Sequence, residues 1–193
     1  MPRPRKLTRE QVLEGAEGVI RSSGMGAVSS RVLAARLNCS THPLFFDYPT
    51  MDDIKAAAIV RVGERFNAFF KKKMKQSEKK GVHPYRACGL AYIAFSVEEK
   101  EFFKLLFMRD RTNEHLPEYD TTVNAVMETI KANFGLNDDK ARKLHERMWA
   151  VVHGIATLNL TGFVQMSDET INEILGDVFK GLMMLDGEVP APE

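Results

Sequence analysis

The sequence of 193 residues has few of the features that stabilise small secreted proteins or place a protein in a membrane. Its two cysteines, Cys39 and Cys88, form no C-x-x-C pair. This excludes a disulfide framework and is typical of a reducing compartment. No apolar run approaches the roughly 20 residues of a membrane span, and no apolar stretch of a signal peptide follows the basic N-terminus. We therefore expect a cytoplasmic protein without a membrane partner.

The sequence also has little net charge, with 27 basic and 26 acidic residues giving +1. A hydrophobic fraction of 44% is too high for a disordered chain. Positive charge is nevertheless concentrated in two segments. Residues 3–36 carry 7 − 3 = +4, and residues 71–80 carry 6 − 1 = +5. The basic residues of the first segment are Arg3, Arg5, Lys6, Arg9, Arg21, Arg31 and Arg36.

Such clusters of one sign indicate a polyanionic partner. A run of charges can equally be the solvated end of a helix. Both interpretations stay open for the lysines between residues 71 and 80.

Helix signals recur along the whole chain, and no segment alternates as a strand does. Thr8–Gln11 has the pattern of a capping box, and Ser29, Ser40 and Thr50 are placed to cap the next three helices. We predict about nine helices. They run from Thr8 to Gly24, from Ser29 to Asn38, and over 41–47, 51–76, 84–97, 99–109, 119–134, 138–165 and 167–185.

The second and third predicted helices are short and are separated by a break of about three residues. This is the spacing of a helix-turn-helix unit, whose second helix presents its N-terminal residues to base edges in the major groove of DNA. Short helix pairs also occur in many other all-α proteins, so the spacing alone is a weak signal. Ser29, Ser30 and Arg31 supply hydroxyls and a guanidinium that suit phosphates.

Residues Thr8–Ala58 resemble the DNA-binding domain of the tetracycline-repressor (TetR) family of bacterial transcription regulators. The resemblance rests on the segments TREQVLEGAEGVIRSSG, VSSRVLAARLNCS and THPLFFDYPTMDDIKAA. It implies a core built from Leu33, Leu37, Leu44 and Tyr48. The DNA contacts that it implies are Ser29, Ser30 and Arg31 on phosphate or the groove edge, Thr41, His42 and Pro43 on bases, and Phe45 and Phe46 on the backbone or on thymine methyls.

Three residues depart from the pattern of the family. Phe45 stands where a tyrosine is usual, Asp47 places a carboxylate near the backbone contacts, and Met51 replaces a frequent lysine. Each change removes a phosphate contact or opposes one, which lowers the affinity for DNA. A flexible arm carrying Arg3, Arg5 and Lys6 is one source of compensation. The alternative is a DNA-binding head that is weakened or lost.

Trp149–Gly154 resembles a Trp/His-Gly signature in the C-terminal domain of one branch of the same family. This resemblance implies a ligand pocket, although every candidate for its wall could instead be filler of the core. The candidates are Cys88, Tyr92, Phe103, Phe107, Trp149 and His153. The resemblance also implies that the last two helices pair with their copies in a homodimer.

The sequence contains no nucleophile elbow, phosphate-binding loop, metalloprotease helix or dinucleotide fingerprint. His145 and His153 share a helix face but lie about 12 Å apart along it, too far to bind one metal ion by themselves. We therefore expect no enzyme, no metal and no cofactor.

The predicted fold is all-α, with a helix-turn-helix DNA-binding domain over 1–50, a ligand-binding and dimerisation domain over 51–187 and a flexible tail over 188–193. The resemblance implies a ligand-responsive regulator, most readily a repressor. It would bind a pseudo-palindromic DNA operator as a homodimer and respond to a small apolar or amphipathic effector. The alternative is a helical dimer that binds a small molecule or a protein and whose DNA head has decayed.

Overall fold

The computed structural model describes residues 7–110 and 117–185, and all regular structure in these ranges is helical. The predicted all-α fold is therefore confirmed. Eight α-helices lie within the described ranges, and the short segment after the second of them is a 3₁₀ helix. The α-helices are α1 (Arg9–Ser23), α2 (Ser30–Arg36), α3 (Met51–Lys79), α4 (Pro84–Glu98), α5 (Lys100–Phe107), α6 (Pro117–Phe134), α7 (Asp138–Thr161) and α8 (Asp168–Leu185).

Side-chain caps fix the helix starts that the sequence predicts. The Gln11 amide donates to Thr8 Oγ1 at 3.2 Å, and the Thr8 amide donates to Gln11 Oε1 at 3.0 Å. Thr50 and Asp53 make the same reciprocal pair at the start of α3. Each box satisfies amide groups that a helix terminus leaves without partners.

The segment 41–47 corrects the sequence-based expectation, because it is not an α-helix of two turns. It forms a 3₁₀ helix over His42–Phe45, and Ser40 does not cap it. Pro43 has no amide hydrogen, which weakens the first turn, and Pro49 disfavours helical geometry in the residue before it. Burial of Pro43, Leu44 and Tyr48 then holds the segment in place.

Two helix ends differ from the prediction by three or four residues. α7 ends at Thr161 rather than at 165, because Gly162 takes a left-handed conformation with φ 72° and ends the helix. α3 extends to Lys79, three residues beyond the predicted end.

The described residues divide into two compact units. The first, which we call the head, comprises 7–67 and 99–110, and the second, the body, comprises 68–98 and 117–185. α3 contributes to both units, and α5 belongs to the head although it follows α4 in the chain. The predicted domain limits of 1–50, 51–187 and 188–193 stay predictions.

The core of the head includes most of the residues that the sequence assigns to it. Leu33 and Leu44 are fully buried, and Tyr48 is 2% exposed. Leu37 is half-buried and packs on Gly15, where an added Cβ would lie 3.0 Å from its side chain. Val32, the neighbour of Leu33 on α2, is 41% exposed and lies outside this core.

A buried ion pair joins α1 to α3 inside the head. Glu17 is only 6% exposed, and its carboxylate accepts hydrogen bonds from Arg61 Nε at 2.6 Å and from Arg65 Nε at 3.0 Å. Arg61 also donates to Glu10 at 2.7 Å. Burial by itself raises the pKa of Glu17, but the two arginines outweigh it and hold the pKa below its ordinary value.

The same network reaches α5. Arg21 lies 3.6 Å from Glu17 and donates two hydrogen bonds to Glu99, at 2.9 and 3.2 Å. Its guanidinium also lies 4.7 Å from the centre of the Phe102 ring. Carboxylates and guanidinium groups therefore link three helices of the head in one chain of contacts.

The body is organised around the contact between α4 and α7. A Cβ at Gly89 of α4 would lie 3.2 Å from the side chain of Val152 of α7, so the missing side chain lets the helices approach closely. Ser96 is fully buried, and its hydroxyl donates to the Ile93 carbonyl at 2.8 Å, with the Ala156 carbonyl at 3.2 Å. Rings of Tyr85, Phe134 and Phe179 pack together beside this contact.

The substitution Glu17→Gln is expected to destabilise the protein by about 3 kcal/mol, because it removes the one buried carboxylate that Arg61 shares with Arg65 and leaves the 11% exposed Arg61 side chain with only solvent-exposed carboxylates. Glu14→Gln is the matched control, since Glu14 is 60% exposed and lies 4.0 Å from Arg61. An exposed pair of this kind contributes under about 1 kcal/mol. Urea unfolding of both variants at neutral pH measures the difference, and equal stabilities would contradict the assignment.

The destabilisation should also depend on pH. Because the pKa of Glu17 in the folded protein lies below 4.5, its ordinary value, the carboxylate stabilises the fold above that pH. This contribution is lost as the pH falls through the folded-state pKa. The difference in the free energy of unfolding between the wild type and Glu17→Gln should therefore become smaller below about pH 4.5.

Candidate nucleic-acid interface and ligand site

The start of α2 presents three predicted phosphate contacts. Ser29 is exposed and caps the helix, with the Val32 amide 3.4 Å from its Oγ. Ser30 is half-exposed, and Arg31 is exposed and makes no ion pair with any residue that the structure describes. A helix start with hydroxyls and an unpaired guanidinium suits an anionic ligand.

The 3₁₀ segment presents the predicted base contacts unequally. Thr41 and His42 are exposed, and Phe46 is 50% exposed with its ring edge-on to the His42 ring at 5.1 Å. Phe45 is half-buried. Pro43 differs from the others because it is buried. The assignment of all eight residues to DNA stays a prediction.

Contacts beneath this segment hold it on the head. Tyr48 accepts a hydrogen bond from Arg9 Nε at 2.9 Å, and the Arg9 guanidinium lies 4.9 Å from the centre of the same ring. Asn38 makes the turn after α2 with φ 51°, a left-handed conformation that asparagine adopts more readily than most residues. The turn and the buried leucine Leu44 place the exposed side chains on a fixed support.

Few cations of the head remain available to a polyanion. Arg21, Arg61 and Arg65 bond to carboxylates, and Arg9 bonds to Tyr48. Arg31 and Arg36 are exposed and make no ion pair with a described residue, and the carboxylate of Asp47 is exposed beside Phe46. The predicted arm of Arg3, Arg5 and Lys6 lies outside the described residues.

Three predicted pocket residues meet in the body. The Tyr92 hydroxyl lies 2.9 Å from Nδ1 of His153, and the rings of Tyr92 and Trp149 lie 4.6 Å apart. The rings of Trp149 and His153 are stacked, with their centroids 6.3 Å apart and an angle of 18° between their planes. Tyr92 is 2% exposed, while Trp149 and His153 are half-buried. The cluster offers flat aromatic faces with polar atoms, a chemistry found in small-molecule sites.

Burial sets the protonation of the groups around this cluster. It lowers the pKa of His153, and it lowers the pKa of His145 despite the opposing effect of Glu146. The Cys88 thiol is buried in α4, which raises its pKa to about 11. Cys88 is therefore a protonated, unreactive thiol at neutral pH.

The other two predicted pocket residues lie in the head. Phe103 packs against Phe107 at 5.1 Å, and Phe107 packs against Phe66 at 5.3 Å. The six candidates are thus divided between the two units. Their role as the wall of a ligand pocket stays a prediction.

Sequence reasoning missed the pairing of Glu17 with Arg61 and Arg65. The partners are 44 and 48 residues apart, and no local pattern marks them. It also missed the bond between Arg9 and Tyr48 for the same reason. Only the helical periodicity, which turns Glu17 toward the buried face of α1, gives a hint of the first pair.

The described residues form no group of three or more His, Cys, Asp or Glu side chains arranged to hold a metal ion. Among the same residues, no helix is both long enough and apolar enough to span a bilayer.

Residues 85–178 match the family model described as "Tetracyclin repressor-like, C-terminal domain". The fold of the chain is similar to that of a TetR-family member from Streptomyces coelicolor A3, with 19% identity, a TM-score of 0.61 and coverage of 90% of this chain and 98% of the other. The C-terminal half of the chain is therefore similar to the C-terminal domain of TetR-like repressors, and the whole chain shares their fold. Its fold is that of a TetR-family transcriptional regulator, as the sequence resemblance implied.

Two other solved TetR-like structures are similar to this chain. A TetR-like transcriptional regulator from Rhodococcus sp. RHA1 shares 16% identity, with a TM-score of 0.62 and coverage of 96% of this chain and 99% of the other. The multidrug binding protein EbrR complexed with ethidium shares 18% identity, with a TM-score of 0.55 and coverage of 88% and 96%. No curated protein sequence matches the chain significantly.

The fluorescence of Trp149, the one tryptophan of the chain, should report the protonation of its neighbours. A protonated imidazole quenches a nearby indole, and burial keeps His145 and His153 neutral below pH 6.5, their ordinary pKa. We expect quenching on acidification with a midpoint below pH 6.5. The double variant His145→Gln/His153→Gln should lose it, whereas His42→Gln should retain it.

A midpoint at or above pH 6.5, or quenching that survives in the double variant, would contradict this arrangement. The lowered pKa values of the two histidines also determine how the stability of the fold depends on pH. The unfolded chain binds protons on these histidines more readily than the folded one, so their contribution to stability is complete above pH 6.5 and is lost as the pH falls.

Proposed function

We propose that the chain is a ligand-responsive transcription regulator that acts as a repressor and binds a pseudo-palindromic operator as a homodimer. The observation that carries the DNA-binding part is the exposure of five predicted contacts on a tightly packed head. They are Ser29, Arg31, Thr41, His42 and Phe46. The buried support beneath them leaves these side chains free to meet a partner. We propose this role in place of an enzymatic one.

Dimerisation is supported by the outward faces of α7 and α8. Ala150, Gly154, Thr157 and Thr161 recur at intervals of three or four residues on α7, and all are half or fully exposed. On α8 the corresponding residues are Ile174, Val178, Gly181 and Leu185, none of them buried. Small residues on one helix and aliphatic residues on the next suit close packing against a second copy.

The effector proposed for this regulator is a small apolar or amphipathic molecule. In the body, Tyr92, Trp149 and His153 combine aromatic surface with a hydroxyl and an imidazole. Cys88, one turn before Tyr92 on α4, adds a polarisable thiol. A ligand that prefers one conformation of the protein shifts the population toward it, and with it the affinity for the operator.

A second candidate is a helical ligand-binding dimer whose head no longer binds an operator. The 3₁₀ form of the segment His42–Phe45 favours it, because four residues present a shorter edge to a groove than a recognition helix does. The exposed carboxylate of Asp47 favours it as well.

The deciding experiment is a selection of the full-length protein on random-sequence duplex DNA, followed by fluorescence anisotropy on the enriched sequence. Enrichment of an inverted repeat that binds two protomers would support the regulator. Dimerisation without any enriched sequence would overturn it in favour of the second candidate.

Arg31 and His42 should affect operator binding in different ways. Arg31→Ala removes a phosphate contact, so it should weaken binding to every sequence and reduce the salt slope by about 2 for a dimer with two such contacts. His42→Ala should instead relax the preference at particular base pairs by about 1–3 kcal/mol each. Anisotropy on the operator and its single-base variants separates the two effects.

The control for these measurements is Arg142→Ala, which removes a guanidinium from the body, where the side chain is 65% exposed. This variant should change neither the salt slope of operator binding nor the preference for particular base pairs. Equal losses on all sequences for His42→Ala would refute its base-reading role.

Gly154→Leu should block the dimer and leave the protomer folded. Among the described residues, an added Cβ at Gly154 meets no atom within 4 Å beyond the backbone of its own helix turn, so the protomer leaves room for a side chain there. Gly63→Leu is the matched control, because Gly63 is also a helical glycine whose added Cβ would meet no such atom. Sedimentation velocity should show a monomer for the first variant and a dimer for the second, and a dimer in both would reject this face.

A further inference from the structure

We propose that the body carries a second nucleic-acid-binding surface, formed by lysines of α3 and separate from the predicted contacts of the head. The lysine surface consists of Lys71, Lys72, Lys75 and Lys79. Its ligand is the phosphate backbone of duplex DNA, bound without regard to sequence. The inference does not depend on the existence of an operator.

Helix geometry places the four lysines on one face. Successive residues of an α-helix are separated by about 100°, so Lys71, Lys75 and Lys79 advance by about 40° at each step. Lys72 lies about 100° around the helix from Lys71, which is about 20° beyond Lys79 in the same direction. All four side chains therefore lie within an arc of about 100°, along about 12 Å of the helix axis.

The charges of this surface are available to a partner. Each of the four lysines is exposed, and none makes an ion pair with a described residue. Lys73 behaves differently, because it points away from the arc, donates to Glu98 at 2.6 Å and lies 5.2 Å from the centre of the Phe69 ring. The helix thus uses one lysine internally and leaves its neighbours in solvent.

Duplex DNA fits the surface better than a protein does. About 12 Å of duplex carries roughly seven phosphates, enough to engage every lysine of the arc. Between residues 68 and 79, the arc contains no apolar side chain larger than that of Ala68. Lysine is depleted from protein interfaces, whose centres require larger apolar or aromatic anchors.

A membrane surface is also a weaker match. Helices that lie on a bilayer insert large apolar side chains beside their lysines. In this helix the large apolar residues between 68 and 79 are Phe69, Phe70 and Met74, and helix geometry places all three outside the arc of the lysines. An extended row of lysines without such anchors binds by charge alone. Phosphates at regular spacing are its best complement.

The test is fluorescence anisotropy of the full-length protein on a labelled 40-base-pair random duplex over a range of salt concentrations. The triple variant K71Q/K75Q/K79Q should weaken binding about tenfold or more at low salt. It should also reduce the slope of log K against log salt by about 2–3, since each lost phosphate contact removes about 0.9. The variant K71R/K75R/K79R should behave as the wild type.

The matched control is K100Q/K143Q/K180Q, which makes the same change in net charge at three other exposed lysines. The proposal is supported only if this control retains the wild-type slope. Equal slopes for the wild type and K71Q/K75Q/K79Q would overturn it. So would the same loss in the control, or no binding of the random duplex by the wild-type protein.

Two competitors separate DNA from other polyanions. Vesicles containing 30% phosphatidylserine or a poly-glutamate peptide should compete weakly with the duplex. Stronger and equally lysine-dependent binding to either would overturn the assignment to DNA. Failure to select an operator would leave these slopes unchanged, so the two proposals fail separately.

Discussion

The head depends on the buried carboxylate of Glu17. A charge at this depth is stable only with opposite charges beside it, and Arg61 and Arg65 supply them from α3. The pairing fixes the rotation of α3 about its axis, because both arginines must point toward α1. Arg21 extends the constraint to Glu99 and α5.

This use of arginine has a consequence for recognition. Guanidinium groups that hold helices together are not available to phosphates, so the positive charge counted along residues 3–36 overstates what the head presents. Arg31 has no internal partner among the described residues, whereas Arg9 and Arg21 do. A head of this kind would obtain selectivity from shape and base contacts more than from charge. The four lysines of the lysine surface on α3 show the opposite arrangement, because none of them makes an ion pair with a described residue.

Local chemistry explains how much of the fold the sequence could predict. Capping residues act within three or four positions, so Thr8 and Thr50 mark their helices without knowledge of the rest of the chain. The segment 41–47 was mispredicted because its conformation is decided by tertiary burial of Pro43 and Leu44 against weak local preferences. Glu17 could not be paired with Arg61 because the interaction joins distant helices. For the same reason, sequence identified candidate pocket residues but not their division between head and body.

The glycines of the body differ in whether packing within the protomer requires them. At Gly89 an added Cβ would press on Val152, so the missing side chain is needed for α4 and α7 to pack. At Gly154 and Gly181 an added Cβ would meet no atom of another described element within 4 Å, so packing within the described part of the protomer does not require glycine there. Glycine in a helix interior costs about 1 kcal/mol relative to alanine. At Gly154 the proposed contact with a second copy of the chain would account for this cost, because it needs a surface without a side chain.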